Sequence, residues 1–465
     1  MSTRIIDLLE ERKGDNFRLH EHYLNPQMVK VLKTIGYDRV YTKAQGQYLY
    51  DQDDNEYLDL LSGFGVFAVG RNHPTVSEAL RDVLDAQLPD MVQMDVSLLS
   101  GLLAEKLLAT TPDRLDKLFF CNSGAEAVEA AIKFSRYATQ RSAIVHCEHA
   151  FHGLTMGALS LNGEKIFRDG FGPLLPECRA IPFNDLEALN AALRNRDVAA
   201  FIVEPIQGKG VNLPNDDYLS EAARLCARYG TLFVADEVQT GIGRTGRFWA
   251  IDHWHVEPDM PLTAKALSGG FIPVGAVAMR HDIMDKVFNR MDRAVVHGST
   301  FSKNNMAMAA GLATLTVIEE EKLLDNASKQ GEVILRELQS MVERYEFFQQ
   351  VRGKGLMIAL EFGTPKSLSL KAAWNLLETA NKGLFCQMVT IPLFSRHRIL
   401  SQVAGHGMNV VKLLPPLVLT DKDKEWLLRA FDHVIAECHK VPGSIWDLGK
   451  TLAGHALKAK NQNRG

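Results

Sequence analysis

The sequence is poor in the features that mark secreted, membrane-spanning or nucleic-acid-binding chains. Its 465 residues hold six cysteines, Cys121, Cys147, Cys178, Cys226, Cys386 and Cys438, scattered without a CxxC pair. The opening MSTRIIDLLEERKGDNF has no secretory apolar core, so a reducing cytoplasmic location is expected. No stretch approaches eighteen consecutive apolar residues, which predicts no transmembrane helix. Neither sign of charge dominates: 52 basic and 56 acidic residues are mixed throughout and leave a net charge of −4. The basic footprint that nucleic-acid binding needs is missing. Internal repeats and low-complexity tracts are missing too.

What the chain does have is apolar residues, 46% of the total, and a length that predicts two or three folding units. From about residue 75 to 325, short apolar runs alternate with helical patterns. The runs are LFF at 118–120, SAIVHC at 142–147, VAAFIVEP at 198–205, TLFVADEV at 231–238 and VGAVAM at 274–279. Such alternation predicts an α/β domain with a mostly parallel sheet and helices on both faces. Ligands bind such sheets at the carboxyl ends of the strands, where Cys121 to Gly124, Glu204 and Asp236 fall. The expected organisation is an N-terminal segment 1–74 belonging to a small α+β domain, a large domain 75–325, the rest of the small domain at 326–442, and an amphipathic tail 443–465.

Asp236 ends an apolar strand, and Lys265 follows 29 positions later. A lysine amine condenses with an aldehyde, and a carboxylate keeps a pyridine nitrogen protonated, so the pair suits pyridoxal phosphate. Cys121-Asn-Ser-Gly-Ala-Glu126 opens a helix. It reads as an S-x-x-E capping box, or as a phosphate cup built from the N–H groups of Ser123, Gly124 and Ala125. In His146-Cys-Glu-His-Ala-Phe-His152-Gly153 the imidazoles do not share a helical face, and the spacing fits no zinc motif. An aromatic shelf at Phe151, beside His152, is the better reading. Gly241-Ile-Gly-Arg-Thr-Gly246 matches GxGxxG but lacks the following amphipathic helix of a dinucleotide site. His297-Gly-Ser-Thr300 is a small-residue turn before an apolar helix, and Ser299 and Thr300 offer further hydroxyl donors.

Together FFCNSGAEAVEAAIK, FHGLTMGALS, DEVQTGIGRTG with the later TAKALSGGFIPVGA, and HGSTFSKN resemble the class III (ornithine/ω-amino acid) pyridoxal phosphate-dependent aminotransferases. The likeness runs from about Asn72 to 420. It implies the fold type I architecture, with a large seven-stranded-type sheet and a smaller domain made from both chain ends. It also implies pyridoxal 5'-phosphate as cofactor and ping-pong transfer between small amine and oxo-acid substrates. By motif, Lys265 is the lysine that carries the cofactor, Asp236 the partner of its ring nitrogen, and Val238 the residue packing behind the ring. Gln239 resembles the donor near the phenolic oxygen, Phe151 the stacking ring and Glu204 an acid near the pocket. Thr300 corresponds to a residue that serves the neighbouring subunit, so a homodimer with shared active sites is implied. An aminomutase on the same site, or a silent binding protein, are the rival expectations.

The chain departs from the pattern where substrate is chosen. Members acting on ornithine typically read EPIQGE and carry an arginine three places before PPL. Here Lys209 and Lys412 stand at those positions. A lysine lacks arginine's planar fork, so a standard carboxylate clamp is not expected, and Lys412 is the candidate to hold a glutamate or alanine donor. The nearby Leu60-Leu-Ser-Gly-Phe64-Gly-Val-Phe67 is apolar, and Phe64 and Phe67 are either core or substrate-facing. One substrate is therefore expected to be an amine or aldehyde with an apolar or extended body, with ornithine, acetylornithine, 4-aminobutyrate or a diamine as the alternative. In the tail, Ile445, Leu448, Leu452 and Ala456 recur at helical spacing, beside lysines at 450, 458 and 460. Docking on its own protein is expected, with a lipid surface or carrier protein as the other partner for this helix.

Overall fold

The structure is a computed structural model that describes residues 4–92 and 94–462. In chain order its strands begin with β1 (Tyr41–Gln45), β2 (Tyr48–Asp51) and β3 (Glu56–Asp59). Seven more build the large sheet: β4 (Lys117–Cys121), β5 (Ala143–Cys147), β6 (Cys178–Ile181), β7 (Val198–Val203), β8 (Leu232–Asp236), β9 (Met260–Thr263) and β10 (Gly275–Met279). The C-terminal part adds β11 (Phe348–Lys354), β12 (Met357–Phe362), β13 (Ile399–Leu400), β14 (Gln402–Val403) and β15 (Val410–Leu413).

The large sheet has the order β4-β10-β9-β8-β7-β5-β6. It is parallel except for β10, which runs against both β4 and β9. Every residue of β7 and β8 is buried, as strands with both faces covered require. Each of Val198, Phe201, Ile202 and Val203 contributes about 1.5–3 kcal/mol by this burial. All five strands expected in this region are present. Two were not expected: β6, a short edge strand, and β9, whose Met-Pro-Leu-Thr carries a proline and no alternation.

The chain ends meet in the smaller sheets. β13 pairs in parallel with β3, with Ile399 opposite Leu58, in the sheet β1-β2-β3-β13. The other small sheet is β11-β12-β15-β14. The segment after β15 is tied to the 60–68 stretch, Leu414 N–H donating to Leu60 O at 2.7 Å and Leu417 N–H to Ala68 O at 2.7 Å. This places Lys412, on β15, beside the loops that follow the large sheet. The tail is the helix Ser444–Gln462. It buries Ile445, Trp446, Leu452 and Ala453 against the helices Leu368–Ala380 and Leu384–His397, so its apolar face is used within the chain. The side chains of Lys458 and Lys460 lie outside the described residues.

Candidate active site

The first turn of the helix Gly124–Thr139 faces the carboxyl end of the sheet. Ser123 caps it, its Oγ accepting the Glu126 N–H at 3.1 Å. The reciprocal half of the expected capping box is displaced by one residue: Glu126 accepts from the Asn122 N–H at 2.8 Å. Ser123 N–H is thereby left out of the box, and the N–H groups of Gly124 and Ala125 have no helical acceptor at this end. The space above them is kept by absent side chains. A Cβ on Gly124 would stand 2.6 Å from Val238 Cγ1, and one on Gly153 2.7 Å from Ala125 Cβ. A neighbouring hydroxyl, Ser299 Oγ, accepts from Asn122 Nδ2 at 2.5 Å, while Thr300 is exposed on the surface.

Asp236, the last residue of β8, is buried. Its Oδ1 accepts the Val238 N–H at 3.1 Å, and its Oδ2 accepts from His152 Nδ1 at 2.6 Å. Burial alone would lower the His152 pKa, but the Asp236 carboxylate reverses this and the net shift is upward. His152 Nε2 is buried without a hydrogen-bond partner among the described residues. Lys265 starts a short 3-10 turn after β9, with a left-handed φ of 36°. Burial lowers its pKa against the pull of Asp236 and Glu204, which favours the free amine.

Glu204 and Lys412 organise the opposite wall. Buried Glu204 accepts the Phe151 N–H at 2.9 Å and the Gly208 N–H at 2.7 Å. Its burial pushes the carboxyl pKa up. Lys412 Nζ, also buried, donates to Gly208 O at 2.8 Å and to Gln239 Oε1 at 3.3 Å. Desolvation, with the charge of Lys265 next in weight, lowers the Lys412 amine to about 7. Gln239 completes the chain by donating from Nε2 to Phe64 O at 3.1 Å. Lys209 Nζ lies 4.0 Å from the ring centre of Phe167 and 5.3 Å from that of Phe151.

The two phenylalanines separate. Phe64 is exposed, with a left-handed φ of 61°. Phe67 is half-buried under the Arg71 guanidinium, 3.8 Å from its ring centre, and fills the space left by Gly63 and Gly270. The GxGxxG loop is structural: Arg244 is fully buried and donates to Leu356 O and Pro415 O.

A family model, aminotransferase class-III, matches residues 33–435. The chain belongs to the class-III aminotransferases. It is 40% identical over 387 residues to an acetylornithine aminotransferase of Bacillus cereus, covering 83% of this chain and 92% of that one. It is 32% identical over 457 residues to the aminotransferase PigE of a Serratia species, covering 91% of this chain. The chain spans only 54% of PigE's length. Among solved structures, the ornithine aminotransferase of Toxoplasma gondii superposes with a TM-score of 0.82 at 30% identity, covering 95% of this chain and all of that one. Its active site was described with partial occupancy of pyridoxal phosphate.

Class-III aminotransferases are pyridoxal phosphate enzymes, and the residues here fit that group. A helix N-terminus freed by Gly124 suits a phosphate, a buried carboxylate suits a ring nitrogen, and a desolvated amine suits an aldehyde. Gly124→Val tests the cradle. The added side chain must displace Val238, and overpacking of about 1–3 kcal/mol predicts cofactor affinity weaker by roughly tenfold or more in a spectroscopic titration. Unchanged affinity contradicts the cup.

Three partnerships were not readable from sequence: His152 with Asp236, Glu204 with Phe151, and Lys209 with Phe167. Each joins residues tens of positions apart or a ring, in KIFRDGF, that no motif marks.

Proposed function

We propose that this class-III aminotransferase moves nitrogen from an amino acid such as glutamate or alanine to an aldehyde or ketone with an apolar or extended body and no carboxylate at the reacting carbon. The observation that carries this reading is the commitment of Lys412. Its amine is buried and donates to Gly208 O and Gln239 Oε1, and desolvation lowers its pKa to about 7, so this position does not offer substrate the planar two-pronged cation of an arginine. The exposed Phe64, joined to the same chain through Gln239, supplies an apolar surface at its end.

Bound pyridoxal phosphate supplies the electrophilic carbon and the ring that takes up an electron pair. The protein does the rest. Asp236, oriented by His152 and the Val238 N–H, would hold a proton at the ring nitrogen of the bound cofactor. Lys265 Nζ, freed once a substrate amine had replaced it, would take the proton from the substrate's amine-bearing carbon and deliver it to the carbon the lysine had held, within the same half-reaction, and would run the transfer in reverse for the second substrate. Glu204 fixes the backbone of Phe151, which positions the stacking ring. Substrates then exchange in ping-pong order.

We also assign the working form as a homodimer in a reducing cytoplasm. Val96 and Met291 are each 96% exposed, and Met94, Leu98, Val295 and Phe301 are exposed with them. Ser97 Oγ donates to Asn305 Oδ1 at 3.0 Å, so Ser97 lies beside the helix that follows Phe301. An apolar surface of this extent next to Thr300 suits a second copy. All six cysteines are unpaired, and among the described residues no helix is long and apolar enough to cross a membrane.

The alternative, acetylornithine as substrate, is favoured by the 40% identity to enzymes of that name. Competition separates the two. With glutamate as donor, a long-chain aldehyde and N-acetylglutamate semialdehyde are offered together, and kcat/KM is expected to favour the long-chain aldehyde by tenfold or more. A preference for the semialdehyde establishes the alternative.

A further inference from the structure

Three lysines lie near this site, and the charges of Lys265 and Lys209 both bear on Lys412. An amino-acid donor brings a carboxylate beside its reacting carbon and needs one of them. Lys265 is taken up by the cofactor and by proton transfer. Lys412 is buried and committed to Gly208 O and Gln239 Oε1. Lys209 differs from both, because its ammonium makes no hydrogen bond and no ion pair among the described residues. The rings of Phe167 and Phe151 lie beside it, their centres 4.0 and 5.3 Å from its Nζ. Those rings hold a cation in place without neutralising it.

The nearby acids are engaged elsewhere. Glu164 Oε1 lies 2.9 Å from His149 Nδ1, and both carboxylate oxygens of Glu204 accept backbone N–H groups. Desolvation lowers the Lys209 pKa overall, and the charges of Glu164 and Glu204 oppose that shift through space. The loop that presents the lysine is fixed from both sides. Gly208 is held by Glu204 and Lys412, and Arg352 donates to Val211 O at 3.0 Å and Gly210 O at 2.7 Å. Gln207 and Asn212 bridge across its base. A half-buried, fixed and uncommitted cation thus stands over the ring assigned to stack on the cofactor.

We propose that Lys209 is the specificity-determining residue that receives the carboxylate of the amino donor, entering beside the Phe151 ring. This rests on the aminotransferase reading above. Carboxylate recognition would then sit on the loop after β7 and not on β15, leaving the Phe64 side free for a substrate without that group.

The test uses cofactor-loaded enzyme, wild type against Lys209→Met and Lys209→Arg. Methionine keeps the apolar stem between the two rings and removes the charge. Donors are glutamate, alanine and an amine without a carboxylate, 2-aminobutane. Binding of glutarate and propionate, the two amino acids without their nitrogen, is followed by calorimetry. In Lys209→Met the KM for the amino acids should rise tenfold or more with kcat within twofold, while 2-aminobutane is unaffected. Carboxylate binding should weaken by a similar factor, and Lys209→Arg should restore most of it. Equal losses with donors that have and that lack a carboxylate would mean a packing role and overturn the proposal, as would unchanged carboxylate binding or none in wild type. Failure of every donor in wild type, with carboxylate binding still dependent on Lys209, would instead strike the aminotransferase reading.

Discussion

Lys265→Ala is expected to reduce transamination by roughly 10,000-fold or more, because in the proposed mechanism one residue serves as both covalent attachment point and proton carrier. The position is specialised for these tasks. The amine is desolvated, its pKa is lowered, and its backbone is held at a left-handed φ that an unconstrained lysine rarely adopts. The phosphate cup, Asp236 and Phe151 lie on other segments and are untouched by the change. The variant should therefore still bind pyridoxal phosphate, now without the visible absorbance of a lysine-linked cofactor. Rate and spectrum should be lost together. Retention of either in well-folded protein contradicts the role given to Lys265.

Asp236→Asn is the second large effect, with kcat expected to fall by about 100- to 1,000-fold, the range for removing one aligned electrostatic group from a buried site. Asparagine keeps the shape, and its Oδ1 still accepts from His152 Nδ1 or the Val238 N–H, so the fold and cofactor binding should persist. What is lost is the charge that holds a proton on the ring nitrogen, and with it the upward pull on His152. Steady-state kinetics with circular dichroism as a fold control decides this. A variant with wild-type kcat contradicts the assignment, and an unfolded one points to a structural role for the pair.

The large sheet was legible in sequence because its central strands are buried on both faces and so read as unbroken β-branched runs. β9 escaped because Pro261 interrupts it and four residues give no period, and β6 because an edge strand is only half covered. The residues proposed for the cofactor could be picked out as candidates where one local motif carries the chemistry, as in Ser123-Gly124-Ala125 or Asp236. Long-range contacts were not. Lys412 meets Gly208 across 204 positions, and nothing in VVKLLPPL shows that its amine is occupied by a backbone carbonyl. The same blindness made Lys412 the candidate holder of an amino-acid donor, although its amine is buried and bonded while that of Lys209 lies against rings. Phe64 and Phe67, three residues apart, also diverged, because the left-handed backbone at Phe64 turns the first outward while two glycines make room for the second.

Nitrogen tracing tests the central claim most directly. Cofactor-loaded enzyme is given 15N-glutamate or 15N-alanine with a long-chain aldehyde, and the amine product is weighed by mass spectrometry. The account predicts one 15N in every product amine, with the matching oxo acid formed in equal amount and neither product in Lys265→Ala. Absence of labelled amine, while the same enzyme labels ornithine or acetylornithine from their semialdehydes, would contradict it.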